Sequence, residues 1–334
     1  MDFPVVHVAL GNSPLEILPQ EVHDLFQSVH DIPMDHESFI PFEIKDFIKA
    51  TVFGAKDRRF MPPLQPSSTN DTEGGRWTGV PMSPTGIAIA ELDTLRDIEA
   101  KAGDCELRGC AEFTWNSRVH DPLLLHALSG HRAIHVEPSQ VARIATQFIP
   151  STGGRGGGHI IESKMIDYCL TLRFNQGMPD QSLEDTPSSD ARLMDAISRR
   201  VWAQPSDSQT FNQTLYDPLQ FCPIACSIEA KSAASNGDGK LQLSVWVAAW
   251  YKRMQKLLPD GSPMVTLPLI RVMGHGWILL FAVHRGHRIE IIGEHEIGNT
   301  STLMGIYVVN SVLRKIADWI DTSYRGWLEH VLLG

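Results

Sequence analysis

One segment of the sequence carries an acidic and a basic side chain that could do chemistry together. Residues 221–232 read FCPIACSIEAKS, a β-like run in which Glu229 and Lys231 are two positions apart. Successive side chains of a strand point to opposite faces, so Glu229 and Lys231 project together while Ala230 points away. Burying a charged pair costs free energy unless the pair finds partners or faces a cleft. We therefore expect this pair to face a cleft.

A second carboxylate lies on the strand-like segment before this one. Residues 164–174 read KMIDYCLTLRF, whose alternation is typical of a strand and which carries Asp167. Two carboxylates on adjacent strands can share a hard cation, because Mg²⁺ accepts one or two carboxylates and leaves its other positions to water and phosphate oxygens. Asp167 and Glu229 are therefore candidate ligands for Mg²⁺ or Mn²⁺. Lys231 would then orient a water molecule or stabilise developing negative charge.

The same residues also have a purely structural interpretation. Lys231 could form a buried ion pair with Asp167 or Glu229 that only ties two strands together, since charge clusters are either functional or structural. The Glu-x-Lys pattern alone does not decide, because the chain contains it four times. Only the copy at 229–231 lies on a β-like run that follows another one bearing an aspartate and leads into a long helix; the others are at 43–45, 99–101 and 162–164.

Several further elements are expected to surround these side chains. Residues 240–258 predict a helix rich in Ala and Trp. The end of this helix is basic, and we expect it to be solvated; it carries Lys252, Arg253 and Lys256. Strands are predicted at 265–273, 277–284 and 288–292, and an amphipathic helix or helix pair at 303–333. The motif residues therefore lie among regular elements that can position them.

The first part of the chain differs from the rest in composition. Residues 1–105 are expected to be an N-terminal extension with helices near 21–29, 43–52 and 90–102 and a Pro/Ser/Gly-rich loop at 54–84. Residues 106–334 are expected to form the main domain, which starts with a helix within 112–128. The GGRGGG run at 153–158 predicts a flexible connector, since glycine-rich stretches are flexible by default.

The composition is that of a globular protein inside the cell. The 334 residues hold 29 Lys and Arg against 39 Asp and Glu, a formal net charge of −10, and 43% of them are hydrophobic. Because no apolar run reaches the ~18 residues of a membrane-spanning helix and the N-terminus lacks the basic start of a secretion signal, we expect an intracellular protein, cytoplasmic or nuclear, without membrane contact. Five cysteines without a CxxC pair argue against a disulfide framework and a zinc ribbon.

The charge is uneven along the chain. Residues 236–334 hold 10 Lys and Arg against 8 Asp and Glu, which leaves 19 against 31 for residues 1–235. An anionic partner is therefore expected to prefer the C-terminal third of the chain. The overall acidity opposes binding to a long polyanion at physiological salt.

The order of several short blocks resembles the PD-(D/E)XK nuclease-like proteins, in particular the large set found in fungal genomes. These blocks lie within about residues 110–330 and read WNSRVHDPLL, KMIDYCLTL, CSIEAKS, LQLSVWVAAW, LPLIRVMGHGWILLFA and IGNTSTLMGIYVV. The resemblance implies an α/β fold with a restriction-endonuclease-like core, in which helices flank a small mixed sheet. It also implies a set of site residues: Asp167 as the first motif acid, Glu229 and Lys231 as the second motif, Gln242 as a helix glutamine, and Glu112 as a glutamate on a preceding helix.

Three functions are compatible with this resemblance. The first is metal-dependent hydrolysis of a nucleic acid with Mg²⁺ or Mn²⁺, for which the acidic charge favours a short or tRNA-like substrate over long DNA. The second is a biosynthetic enzyme that reuses the fold, such as an arginine-containing cyclodipeptide synthase of secondary metabolism. Such an enzyme takes amino acids from tRNA and would need no metal, but the DDxxE motif associated with it is absent here. The third is a non-catalytic interaction module. The oligomeric state stays open.

Overall fold

The structure is a computed structural model that describes most of the chain: residues 4–34, 38–52, 55–63, 83–150, 165–174, 188–233, 235 and 237–334. The predicted connector at 153–158 and the Glu-x-Lys copy at 162–164 lie outside these residues, as does most of the predicted loop at 54–84. Within the described stretches we find no helix with the length and apolar character that crossing a bilayer needs. All five cysteines are free thiols.

One mixed sheet contains seven strands of the described chain. They are β1 (Val5–Ala9), β2 (Ile134–Pro138), β3 (Tyr168–Leu172), β4 (Ile224–Lys231), β5 (Leu267–Met273), β6 (Gly276–His284) and β7 (Ile289–Asn299). Their order across the sheet is β1-β7-β6-β5-β4-β3-β2. The pairs β1–β7 and β4–β5 are parallel, and the other neighbouring pairs are antiparallel. The mixed sheet implied by the resemblance is therefore confirmed.

Helices flank this sheet. The α-helices are α1 (Pro14–Ile17), α2 (His23–Asp31), α3 (Lys45–Thr51), α4 (Pro84–Leu107), α5 (Glu112–Trp115), α6 (Asp121–Leu128), α7 (Ser189–Trp202), α8 (Lys240–Leu257), α9 (Leu303–Trp319) and α10 (Arg325–Leu333). Helix α8 packs against β4, whereas α9 packs against β7 and against α2, α4 and α6. Short 3-10 helices lie at Gln20–Val22, Phe42–Ile44, Asp57–Arg59, Thr146–Phe148, Ser206–Ser208 and Asp217–Leu219, and π turns lie at Asn116–His120 and Ile320–Tyr324.

The two central motif strands are buried on both faces. Every residue of β3 is buried, and so is every residue of β4 except Lys231. Strands covered on both faces read as near-continuous apolar runs, because neither face meets water. Charged side chains at the end of β4 are therefore exceptions within an apolar core. The groups that they contact indicate whether they form a structural ion pair or a functional site.

The predicted α/β fold class is confirmed. The strands predicted at 164–174 and 221–232 correspond to β3 and β4, and the helix predicted at 240–258 corresponds to α8. The sequence does not predict β1 and β2, because neither strand has the buried alternation that marks one. Strand β7 continues beyond its predicted end at residue 292, where polar residues and a register shift against β6 interrupt the apolar pattern.

Residues 1–105 contribute directly to this packing. Strand β1 pairs with β7 along its whole length. Helix α4 packs against α9, where the Glu99 carboxylate accepts a hydrogen bond from the Leu303 N–H at 2.8 Å. In the same contact, the Glu91 carboxylate lies 2.6 Å from the Arg314 guanidinium. The first strand and α4 thus belong to the sheet-and-helix unit, and the domain boundary expected after residue 105 stays a prediction.

The basic end of α8 is solvated only in part: Lys256 is exposed, whereas Arg253 is buried, so the expectation is wrong for Arg253. Arg253 is 1% exposed and donates hydrogen bonds to backbone carbonyls of the segment after α7. Lys252 and Lys256 donate to backbone carbonyls of the segment before residue 150, at 2.7 and 3.3 Å. Irregular segments leave carbonyls without partners in a ladder, and long basic side chains can satisfy them while their stems pack on the core.

Gly305 lies where α9 approaches β7 closely. A Cβ at this position would be 2.5 Å from the carbonyl oxygen of Asn299, whereas a Cβ at Gly326 in α10 would meet no atom within 4 Å. We expect Gly305→Ala to lower the free energy of unfolding by about 1–3 kcal/mol through overpacking. The control Gly326→Ala is expected to raise it by about 0.5–1 kcal/mol through helix propensity. Urea denaturation measures both, and equal stability of the two variants would contradict the close approach.

Candidate active site

Asp167 lies immediately before β3, where this strand meets β4. Its backbone N–H donates to the carbonyl of Ile228 at 3.1 Å, so the residue still follows the ladder between the two strands. Asp167 is 3% exposed. Its carboxylate accepts hydrogen bonds from the Ala230 N–H to Oδ2 at 2.8 Å and from Asn116 Nδ2 to Oδ1 at 2.7 Å. The carboxylate is thus tied to the backbone of the neighbouring strand and to one side chain.

Glu229 and Lys231 meet at the end of β4, as their spacing predicts. Lys231 Nζ lies 2.7 Å from Glu229 Oε1 and donates a hydrogen bond to Glu112 Oε2 at 3.0 Å. The Glu229 side chain is 2% exposed, and the Lys231 side chain is 13% exposed. Because Glu112 is the first residue of α5, the lysine joins β4 to this helix as well as to the neighbouring glutamate.

The start of α8 closes over Glu229. Gly239 precedes the helix with φ +76°, in the left-handed region that favours glycine. A Cβ at this position would lie 2.7 Å from Glu229 Cγ. Glycine therefore lets the helix begin directly beside β4, and Gln242 in its first turn lines the resulting cleft.

A cleft of about 220 Å³ brings the five predicted site residues together. Its walls come from β4, from α5, from α8 and from the segments before β3 and after β2. It is lined by the predicted residues Glu112, Asp167, Glu229, Lys231 and Gln242, together with Gln140, Met165 and Ile166. The proximity of these side chains is an observation, whereas the catalytic roles predicted for them stay predictions.

Two polar side chains of this site were not identified from the sequence. Asn116 is 4% exposed and bonds to Asp167 from the π turn after α5. Gln140 lies in the loop after β2, with Nε2 3.5 Å from Asp167 Oδ1. Asn116 has one local signal, since His120 follows it four positions later on the same helical face. Nothing local distinguishes Gln140.

Burial and repulsion raise the pKa of both buried carboxyls. Burial raises the pKa of Glu229 to about 8; the charge of Asp167 adds to this effect and the amine of Lys231 opposes it. Burial also raises the pKa of Asp167, against the hydrogen bond from the Ala230 N–H. With Glu112 included, three carboxyls face one amine, so the fully ionised site carries an excess of two negative charges.

The donor set of the cleft fits a divalent cation held by two carboxylates. Among the residues that the structure describes, no cluster of three or more His, Cys, Asp or Glu side chains is arranged to hold a metal. Mg²⁺ needs no such cluster, because it keeps several waters and binds through one or two carboxylates and substrate phosphates. Asp167 and Glu229 offer two buried carboxyls whose excess charge a divalent cation would neutralise. They are the residues that would hold Mg²⁺ or Mn²⁺.

The raised pKa of Glu229 predicts that stability depends on pH. A carboxyl with a pKa of about 8 in the folded protein and 4.5 in the unfolded chain favours folding fully below pH 4.5, and this contribution is lost as pH rises through 8. We expect the free energy of unfolding of the wild-type protein in chelator to fall across this window. Glu229→Gln should remove most of that fall, and urea denaturation at several pH values measures it.

Glu290 provides a control for this measurement, because its pKa is shifted in the opposite direction to that of Glu229. Burial raises its pKa, but hydrogen bonds from Arg285 and Arg288 outweigh burial, and the net effect lowers the pKa. Ionised Glu290 therefore adds to the free energy of unfolding above pH 4.5, and this stabilisation is lost in acid. We expect Glu290→Gln to destabilise the protein at neutral pH. If Glu229→Gln and Glu290→Gln changed stability in the same direction at alkaline pH, the charge balance of the cleft described above would be wrong.

The sequence relationship agrees with this geometry. A model of the PD-(D/E)XK nuclease superfamily matches residues 56–325, which is most of the chain. The chain has no significant match among curated proteins or among solved structures. Because the match spans well over half of the sequence, and because helices flank a mixed sheet of the kind that the resemblance implies, the chain belongs to the PD-(D/E)XK nuclease superfamily.

Proposed function

We propose that the cleft carries out metal-dependent hydrolysis of phosphodiester bonds in a nucleic acid. The observation that supports this most is the meeting of Asp167, Glu229 and Lys231 in one cleft. Three carboxyls and one amine give this cleft an excess of negative charge that a divalent cation would balance. A pair that only joined two strands would not need the additional carboxyl of Glu112 and the polar Gln242 in the same cleft.

Asp167 and Glu229 would hold the cation in this proposal. Mg²⁺ or Mn²⁺ bound there supplies Lewis acidity toward the phosphate and lowers the pKa of a coordinated water. Asp167 is fixed before substrate arrives, because both of its oxygens accept hydrogen bonds from buried donors. Gln242 lines the cleft with an amide that can donate to a phosphate oxygen and accept from a water molecule.

Lys231 acts as a cation in this scheme and not as a base. Burial lowers the pKa of its amine, but the charges and hydrogen bonds of Glu229 and Glu112 outweigh burial and raise it. The protonated amine would orient the attacking water or stabilise the negative charge that develops on phosphate oxygens. Its bond to Glu112 at 3.0 Å anchors the ammonium at the cleft.

The substrate that we favour is a short or structured nucleic acid such as tRNA. The net charge of −10 opposes binding along an extended polyanion. A compact substrate would present fewer phosphates to the acidic surface and could approach through the less acidic C-terminal third. Such a substrate fits a protein of the cytoplasm or the nucleus, where we place this one.

Replacement of Lys231 tests the proposed role directly. We expect Lys231→Met to reduce chelator-sensitive cleavage by about 10²–10³-fold through loss of charge stabilisation. The variant should remain folded, because the buried Glu229 carboxyl can take up a proton and the Glu112 side chain is 34% exposed. Cleavage of tRNA and short oligonucleotides with Mg²⁺, with Mn²⁺ and with chelator measures the effect. Lys101→Met, at an exposed lysine paired with Asp97, is the matched control.

Binding of Mn²⁺ gives a second measurement that does not need the right substrate. Calorimetric titration should show a site in the wild-type protein that Asp167→Ala and Glu229→Ala lose. A Lys231→Met variant that unfolds, or that cleaves at the wild-type rate, would identify the lysine as part of a structural ion pair. Absence of Mn²⁺ binding at millimolar metal would contradict the metal-dependent function.

The charge of the cleft also favours a second function. Three carboxyls within about 220 Å³ suit a cationic amino acid, because a carboxylate binds a guanidinium through two parallel hydrogen bonds. An arginine-containing cyclodipeptide synthase that reuses the fold would place an aminoacyl ester of tRNA in such a cleft. Glu229, whose pKa burial raises to about 8, would then transfer protons near neutral pH without a metal, and the Asp167 carboxyl, whose pKa burial also raises, would act beside it.

Expression in a heterologous host with untargeted metabolite analysis distinguishes the two functions. The second function predicts a new arginine-containing cyclic dipeptide that disappears in the Glu229→Gln variant. The first predicts no such product and chelator-sensitive cleavage by the purified protein. A protein that gives neither product nor cleavage and binds no Mn²⁺ would be a non-catalytic interaction module.

A further inference from the structure

A buried amide and a buried imidazole lie behind the Asp167 carboxylate, outside the lining of the cleft. Asn116 is 4% exposed and His120 is 1% exposed. Asn116 Nδ2 donates to Asp167 Oδ1 at 2.7 Å, and His120 Nδ1 lies 2.9 Å from Asn116 Oδ1. The three side chains form a continuous hydrogen-bonded chain from the core to the cleft.

With Asp167 ionised, as a cation ligand must be, the hydrogen bonds in this chain have one consistent direction. An ionised carboxylate only accepts hydrogen bonds, so Asn116 must donate its NH₂ group to Asp167 and turn Oδ1 toward His120. His120 Nδ1 must then carry a hydrogen. Burial lowers the pKa of His120 to about 3, against a hydrogen bond to the Gly274 backbone that raises it, so the ring is neutral. In the tautomer that donates to Asn116 Oδ1, the single ring proton is on Nδ1. A flip of the amide would place its oxygen against the carboxylate and its NH₂ group against the ring N–H.

Aromatic packing and backbone geometry hold this chain in place. The His120 ring stacks on Trp115 at 5.9 Å and meets the Trp277 ring edge-on at 5.6 Å. Asn116 and His120 are the first and last residues of a π turn, in which the Asp121 N–H bonds to the Asn116 carbonyl. Single π turns occur frequently at functional sites. Neither side chain can rotate without disturbing the core.

Asn116 also completes the restraint on the carboxylate plane. The Ala230 N–H bonds to Oδ2 at 2.8 Å, and Asn116 bonds to Oδ1. With one strong donor on each oxygen, the carboxylate cannot rotate freely about χ2. Each oxygen keeps a further lone pair for the cleft. Gln140 approaches the same Oδ1 only at 3.5 Å, so it adds a weaker restraint.

We propose that Asn116, oriented by His120, is a positioning residue that fixes the Asp167 carboxylate for cation binding. The orientation of Asp167 is inferred from these contacts, and its effect on the affinity for a divalent cation rests on the proposed metal-dependent function. Partners that orient a ligating side chain change metal affinity by about 10- to 100-fold when they are removed. Neither residue touches the substrate in this scheme.

The test compares Mn²⁺ affinity among variants whose folding is checked in chelator. We expect Asn116→Leu, which keeps the volume and removes both hydrogen bonds, to weaken Mn²⁺ binding by about 10- to 100-fold. Asn310→Leu is the matched control, since Asn310 is also a buried asparagine and its amide has no hydrogen-bond partner among the described residues. This control should leave Mn²⁺ affinity unchanged.

A pair of histidine variants separates positioning from a general packing role. In His120→Asn the amide nitrogen replaces Nδ1 and can still donate to Asn116, whereas in His120→Gln the amide nitrogen lies at the place of Nε2. We expect His120→Asn to retain nearly wild-type Mn²⁺ affinity and His120→Gln to resemble Asn116→Leu. Equal losses in both histidine variants would indicate that only the ring volume matters, and would overturn the proposal.

Crystal structures in chelator provide the readout that does not depend on a metal. The Asp167 carboxylate should rotate in Asn116→Leu and keep its wild-type orientation in Asn310→Leu. An unchanged carboxylate in Asn116→Leu would overturn the positioning role. If the wild-type protein bound no Mn²⁺, the proposed metal-dependent function would fail, and the orientation of Asp167 in these structures would still decide whether Asn116 positions it.

Discussion

Two buried carboxyls and one half-buried amine meet at the ends of neighbouring strands, and the surrounding sheet and helices hold them together. Burial disfavours the charged forms of Glu229 and Asp167 and so raises the pKa of both, and the charge of Asp167 adds to this effect at Glu229. Lys231 offsets only part of this effect. The packing of the sheet and its flanking helices supplies the folding free energy that offsets the cost of burying these charges.

The charged groups of the cleft reach it from three places in the fold: β4, α5 and the segment before β3. Register between β3 and β4 brings Asp167 beside the Ala230 N–H, and the alternation of β4 aims Glu229 and Lys231 to one side. Helix α5 adds Glu112, and α8 begins close enough to cover Glu229 because its preceding residue is a glycine. An arrangement assembled from strands and helices is more precise than one assembled from loops, and the hydrogen bonds behind it restrict rotation further.

The part of the site that depends on the pattern within one segment can be predicted from the sequence. A period of two places Glu229 and Lys231 on one face, and the family resemblance implies the mixed sheet around them. The bond between Asn116 and Asp167 joins residues 51 positions apart, and no local pattern indicates it. The burial of Arg253 also cannot be predicted from the residues around it, since its partners are backbone carbonyls of a distant irregular segment. Edge strand β1 lacks the buried alternation from which a strand is identified.

The pairing of β1 with β7 sets an order in which the protein can complete its fold. Val5 pairs with Ile289, so all the chain between these two residues must leave the ribosome before this edge of the sheet can close. Contacts between such distant segments form slowly, because ordering the intervening chain costs entropy first. Until then the outer edge of β7 offers unpaired backbone groups to other chains. Nascent protein at this stage would be the form most dependent on chaperones.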